Sequence, residues 1–192
     1  MENRKGAVIT VSAPSGTGKT TIVKEILKEF PEIVFSVSAT TRKKRKNEKN
    51  GVEYFFITVE EFKEKINAGD FVEWEKFYDY YYGTFKSYID DNISAGRPVL
   101  IEIDVKGALH VKEIYPEAVL IYIYPPNLQE LEKRLKGRQT EDEADFKKRI
   151  ERAKMELSLK DRFDYLIENK DLNIAVSQVK SLINNIINKE NS

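Results

Sequence analysis

Ala13-Pro-Ser-Gly-Thr-Gly-Lys-Thr20 stands directly after the apolar run Ala7-Val-Ile-Thr-Val11 and opens onto a helical pattern that begins near Gly18. Strand, glycine-rich turn and helix start follow one another without a gap. That succession suits a triphosphate, because backbone N–H groups converge on its oxygens while the positive end of a helix dipole faces its charge. Gly16 and Gly18 allow the backbone a close approach, with no Cβ in the way. Lys19 is spaced to reach the β- and γ-phosphates, and the Thr20 hydroxyl to hold Mg²⁺ directly. Ala13 occupies the place of the motif's first glycine. A flexible turn that binds nothing is the plainer reading, and the strand-to-helix context argues against it.

Working outward, the chain alternates strand and helix. Ile22, Val23, Ile26, Leu27 and Phe30 recur at helical spacing up to Pro31. Ile33–Ser38 and Val52–Ile57 read as short strands, and Thr58 with Glu61 as a capping box for a helix ending at Gly69. Phe71–Glu75 and Phe77–Tyr82 are β-prone, and Gly83-Thr84 leads into a helix that stops at Gly96. Val99–Val105 and Ala118–Tyr124 are continuous apolar runs, as in strands buried on both faces of a parallel sheet. Asn127 with Glu130, and Thr140 with Glu143, cap two further helices, the second bearing Phe146, Ile150, Ala153 and Leu157 on one face. Phe163–Ile167 reads as a last strand, and Ile174, Val179, Leu182, Ile183 and Ile186 as a closing helix. The pattern predicts an α/β fold with helices on both faces of a central parallel sheet, interrupted by two inserted lobes.

Composition narrows the function. The 192 residues, 41% of them apolar, suffice for one core. Lysine plus arginine balances aspartate plus glutamate at 32 each, so no global field favours nucleic acid or an anionic membrane. The absence of cysteine excludes disulfides, thiolate catalysis and Cys-based zinc sites. His110 lies in an ordinary helical pattern and is given no role. No run is long enough for a membrane span and no signal-peptide core precedes the first strand, so a cytoplasmic location is expected.

Four constellations carry chemistry. The basic run Arg42–Lys49 reads as a solvated loop, a nucleic-acid or targeting patch, or a phosphate clamp. The hydroxyls of Ser36, Ser38, Thr40 and Thr41, with Tyr54 and Tyr80–Tyr82, favour the clamp. Glu73 is either an outward residue of a period-2 strand or a carboxylate aimed at the adjacent N–H and NH₂ donors of guanine. Asp104, with Glu102 two residues earlier on the same face, ends an apolar strand where ligands bind in open α/β sheets; the plainer alternative is a cap on the next turn. Arg134, Arg138 and Arg149 flank a charged link and are either solvated or placed to swing over a triphosphate.

Taken together, the ordered motifs Ser12–Thr20, Ser36–Arg42, Gly51–Phe56, Phe71–Trp74, Tyr81–Thr84, Ile103-Asp104 and Arg134–Arg138 resemble the guanylate kinase family over most of the chain. The resemblance implies a three-layer P-loop fold: a core of about 1–35, 96–125 and 156–192, a GMP-binding lobe of about 36–95 and a helical lid of about 126–155. It implies phosphoryl transfer from ATP to GMP with Mg²⁺ as cofactor, catalysed by Lys19, Arg42, Arg134, Arg138 and Arg149. Ala13, Pro14, Ser15, Gly16, Thr17, Gly18, Lys19 and Thr20 would bind ATP, with Asn169 near the adenine. Arg42, Arg45, Tyr54 and Tyr82 would hold the GMP phosphate, and Ser38, Glu73 and Thr84 the guanine. Glu102 and Asp104 complete the acceptor site, Asp104 also meeting Mg²⁺ through water. GMP and ATP are the implied partners, with dGMP left open, in a monomer or small homo-oligomer that binds neither nucleic acid nor membrane. A non-catalytic module of similar sequence that recognises phosphorylated peptides is the alternative.

The chain departs from the family's pattern in a few places. Lys44, Lys46 and Asn47 replace the usual proline and glycine around Arg45, which loosens that loop. Ala39 replaces a more usual polar residue, Glu102 a common aspartate, Thr84 a serine and Gln139 a glycine.

Overall fold

The computed structural model describes residues 6–77, 79–136 and 143–190. Five strands, β1 (Val8–Ser12), β2 (Val34–Phe35), β7 (Val99–Glu102), β8 (Val119–Tyr124) and β9 (Tyr165–Glu168), form one sheet in the order β2-β7-β1-β8-β9. Every pairing in it is parallel, with Ile9 against Leu100 on one side of β1 and Val11 against Ile121 on the other. Alternate residues of these strands supply two separate cores. Ile9, Val11, Leu100, Ile121 and Ile123 meet Ile22, Val23 and Ile26 of α1 (Lys19–Glu29) and Ala175, Val179 and Ile183 of α7 (Leu172–Glu190). Val8, Val99, Ile101, Leu120 and Tyr122 meet Ile89 and Ile93 of α3 (Lys86–Ser94) and Val105, Ala108 and Val111 of α4 (Val105–Ile114). This is the expected three-layer α/β architecture, consistent with a P-loop fold.

A second sheet, order β4-β3-β6-β5, is built from β3 (Ala39–Thr40), β4 (Phe55–Phe56), β5 (Phe71–Phe77) and β6 (Tyr80–Phe85). Its small core of Ala39, Phe62 and Phe71 is closed by α2 (Val59–Ala68). The expected capping box is present: the Thr58 hydroxyl accepts from Glu61 N at 3.1 Å and the Glu61 carboxylate accepts from Thr58 N at 2.8 Å. Two more helices, α5 (Leu128–Lys136) and α6 (Glu143–Ser158), share a core of Leu131, Leu135, Ile150 and Ala153. The Asn127 cap is seen, its Oδ1 accepting from Glu130 N at 2.8 Å, while Thr140 lies outside the described residues.

Several boundaries differ from the expectation. The run 33–38 divides, Val34-Phe35 joining the central sheet and the chain crossing to the second sheet at Ala39. Of Val52–Ile57 only Phe55-Phe56 is strand, because an Asn50–Tyr54 bridge closes a turn just before it. Gly83 and Thr84 belong to β6, where they pair with Trp74 and Glu73, and the helix starts at Lys86. Strand β7 ends at Glu102, and Asp104 is the N-cap of α4. Ile174 is 60% exposed, because Ala175 takes the buried position in the first turn of α7.

Candidate active site

The turn after β1 lies at the carboxyl end of the central strand, between neighbours β7 and β8. Gly16 (φ 86°) and Gly18 (φ 92°) adopt the left-handed backbone that glycine tolerates. Space adds a second constraint at Gly18, where a Cβ would sit 2.9 Å from Asn169 Nδ2. That amide donates to Thr17 O at 2.6 Å, and the Asn169 backbone N–H donates to Tyr124 O at 2.7 Å. Asn169, 3% exposed, therefore braces the loop from below. Lys19 crosses the turn to donate to Ile103 O at 2.9 Å. Burial pulls its ammonium below the ordinary lysine range, against Glu102 and Asp104, which pull it up. The Thr20 hydroxyl donates to Glu102 Oε1 at 2.6 Å. Its one proton being so directed, its lone pairs remain to accept a cation.

Of the expected acceptor residues, Glu73 lies on β5 and Tyr82 and Thr84 on β6, while Arg42, Arg45 and Tyr54 lie in the connection between β3 and β4. Arg42 Cζ lies 5.5 Å from the Tyr54 ring centre, and the Tyr54 and Tyr82 rings meet edge-on at 5.9 Å. Glu73 and Thr84 are register partners, the Thr84 hydroxyl donating to Glu73 Oε1 at 2.8 Å. Burial pushes the Glu73 carboxyl up to about 7; the Thr84 hydrogen bond opposes the rise, and Asp104 and Glu75 add to it. Ser38 is half-buried and its carbonyl accepts from Phe55 N at 2.9 Å, while Arg45 is exposed. Sequence reasoning missed Glu48, which accepts from Arg42 Nη1 and Nη2 at 3.0 and 2.7 Å and from Arg45 N at 2.7 Å. This carboxylate ties the basic loop together where proline and glycine are absent. With Lys43 O also accepting from Nη1, two of the five guanidinium N–H groups of Arg42 stay available to Tyr82 or a phosphate.

The arginines come from α5 and α6. Arg134 donates to Glu130 Oε1 at 2.9 Å and to Asn169 O at 3.2 Å, and Arg149 Nη2 to Ser15 Oγ at 2.6 Å. Arg138 lies outside the described residues. Asp104 fulfils the plainer expectation, its Oδ1 accepting from Gly107 N at 2.8 Å as a helix cap. Its Oδ2 accepts from Arg152 at 2.8 Å, a residue the sequence reading passed over. The signal was there: 149, 152 and 156 form a helical strip beside the apolar face 146, 150, 153. A cavity of about 740 Å³ is lined by residues 13–21, by Glu75 and Tyr82 of the second sheet, by Tyr54 just before β4, and by Asp104, Arg149, Arg152 and Glu156. Ser38, Arg42, Glu73 and Thr84 are not among the residues that line it.

Comparison with known proteins bears on this geometry. The sequence model for "Guanylate kinase" matches residues 5–186. The chain belongs to the guanylate kinase family. The guanylate kinase of Thermotoga maritima is 46% identical over 179 residues, covering 93% of this chain and 86% of that protein. That of Clostridioides difficile is 45% identical, covering 97% and 91%. Among solved structures, guanylate kinase from Anaplasma phagocytophilum superposes with a TM-score of 0.75 at 30% identity, over 99% of this chain and 88% of that one. The family assignment makes the chain an enzyme, a nucleoside monophosphate kinase, and the family uses ATP as phosphoryl donor. Among the described residues no helix is long and apolar enough to cross a membrane.

Proposed function

We propose that the chain transfers the γ-phosphoryl group of ATP to GMP, giving ADP and GDP, and so serves purine nucleotide metabolism and GMP recycling in the cytoplasm. The observation that carries this reading is a cavity whose lining includes residues 13–20 together with Tyr54, Tyr82, Asp104 and Arg149. Residues 36–95 act as the acceptor lobe and 126–155 as the lid, although α6 itself runs on to Ser158.

The nucleophile is a GMP phosphate oxygen with a second pKa of about 6, already ionised at neutral pH, so no general base is required. Arg42, Arg45, Tyr54 and Tyr82 hold that phosphate, and Glu73 accepts from the two donors of guanine while Thr84 and Ser38 fix the base laterally. Residues 13–19 cradle the donor phosphates, and Lys19, Arg134, Arg138 and Arg149 neutralise charge as it spreads over the transferring group. Asn169 holds the loop that does the cradling. The hydroxyl of Thr20 and the carboxylates of Glu102 and Asp104 are the hard oxygen donors that Mg²⁺ selects, and the ion takes few protein ligands beside phosphates and water. Thr20 would hold Mg²⁺ directly and Asp104 through water. Bound there, the ion supplies positive charge to the β- and γ-phosphate oxygens.

The test is the initial rate of transfer from ATP–Mg²⁺ to GMP, dGMP, AMP, CMP and UMP, with ADP release without acceptor as the blank. GMP should be used far better than AMP, CMP or UMP. Equal use of AMP, or no transfer to GMP, would overturn the assignment.

A further inference from the structure

We propose that Arg152 is a positioning residue that latches α6 to the acceptor sheet and to the end of β7, so that one guanidinium sets both the closure of the site and the orientation of Asp104. The inference rests on the phosphotransfer reading above.

Arg152 reaches carboxylates on three different elements. It donates through Nη2 to Glu75 Oε2 of β5 at 3.1 Å and to Asp104 Oδ2 at 2.8 Å, and through Nε to Glu156 Oε1 of its own helix at 2.9 Å. Glu156 is itself buried, its side chain 5% exposed, and burial raises its pKa, so a charged partner is required there. With Gly107 N on Oδ1 and Arg152 on Oδ2, both carboxylate oxygens of Asp104 are held.

Each end of the latch lies beside a functional group. Glu75 follows Glu73 by two residues, on the same face of β5, and pairs across the ladder with Tyr82. Arg149 precedes Arg152 by one turn of α6 and contacts Ser15 of the phosphate loop at 2.6 Å. Pulling α6 and β5 together through Arg152 therefore sets the base-reading and phosphate-holding strands against the loop that holds the donor. Without the guanidinium, the link between α6 and β5 is lost, and Glu75 and Asp104, which share its Nη2, are left as neighbouring like charges.

The variants Glu75→Gln, Arg152→Lys and Arg152→Met separate the parts. Glu75→Gln removes the charge from the link to the sheet and nothing else, and should raise KM for GMP about two- to fivefold, more than it lowers kcat. Arg152→Met also releases Asp104 and should lower kcat about tenfold or more, with Arg152→Lys recovering part of the loss. Adding Glu75→Gln to Arg152→Met should change nothing further. Amide hydrogen exchange supplies a readout that does not depend on turnover: Glu75→Gln should speed exchange in β5 and α6 and leave β1 and β8 as they are. Unchanged kcat and KM in Arg152→Met, whatever its Tm, would overturn the proposal. So would unchanged exchange in Glu75→Gln. A wild-type protein inactive toward every nucleotide would sink the phosphotransfer reading instead, and the exchange comparison would still decide the latch.

Discussion

As the proposed base-reading carboxylate, Glu73 would link protonation to substrate choice. Its carboxyl lies at about 7 in the fold against 4.5 for an ordinary glutamate. A group raised in this way contributes stability that is full below pH 4.5 and is lost as pH rises through about 7. Guanine's two donors require the ionised form, so GMP binding releases the proton and KM for GMP should fall as pH rises from 6 to 8. Glu73→Gln should flatten that dependence and lower kcat/KM for GMP about 100-fold at pH 8, since the amide turns a donor toward guanine's donors. The phosphate of GMP titrates near pH 6 in both proteins, so the difference between their profiles isolates Glu73. Parallel profiles would remove Glu73 from the base site. Glu48 makes a second prediction at this scale. With both its oxygens on Arg42 and one on Arg45 N, Glu48→Ala should raise KM for GMP about tenfold while KM for ATP stays put. Equal effects on the two substrates would mean that the loop serves the whole fold rather than the acceptor.

Among the elements, α2 shows how local chemistry can suffice. Thr58, Glu61 and Gly69 mark both its ends in sequence, and the structure has the reciprocal cap and the left-handed Gly69 (φ 71°). Thr58→Ala should cost about 1 kcal/mol and lower Tm by about 2–4 °C, read by calorimetry; no shift would mean that packing of Phe62 alone holds the helix. Strands were less legible. Val34-Phe35 and Ala39-Thr40 fall within one short β-prone run, yet lie in different sheets, because what separates them is the partner each finds, Val99 for one and Gly83 for the other. Helix α6 was legible as to its apolar face and not as to its charged one. Arg152 is an ordinary helix arginine in sequence, and only the approach of β5 and of the α4 N-terminus gives it Glu75 and Asp104.

At the scale of the whole molecule, the donor loop and the acceptor sheet belong to separate cores that meet at one cavity. Ligands on its two sides should then reinforce each other. ADP–Mg²⁺ or GMP alone, at about 100 times Kd, should each stabilise the protein by about 2.7 kcal/mol, and the two together should raise Tm by more than the sum of the separate shifts. Strict additivity would show that the two sides do not sense each other. The sequence by itself determined the phosphate loop, the buried parallel strands and the helices that flank them, because each rests on spacing within a dozen residues: glycine at a turn, apolar runs, caps. It also carried the resemblance to the guanylate kinase family, which the family model then matched over residues 5–186. Tertiary structure alone decided that Glu48 holds Arg42, that Asn169 braces the loop, and that Asp104 is both a helix cap and a partner of Arg152. Asn169 with Thr17 and Arg152 with Asp104 are contacts between distant segments, which leave no periodic trace in a chain and form when the folded cores bring the segments together; Glu48 lies close to Arg42 in sequence, but in an irregular loop that has no period to read.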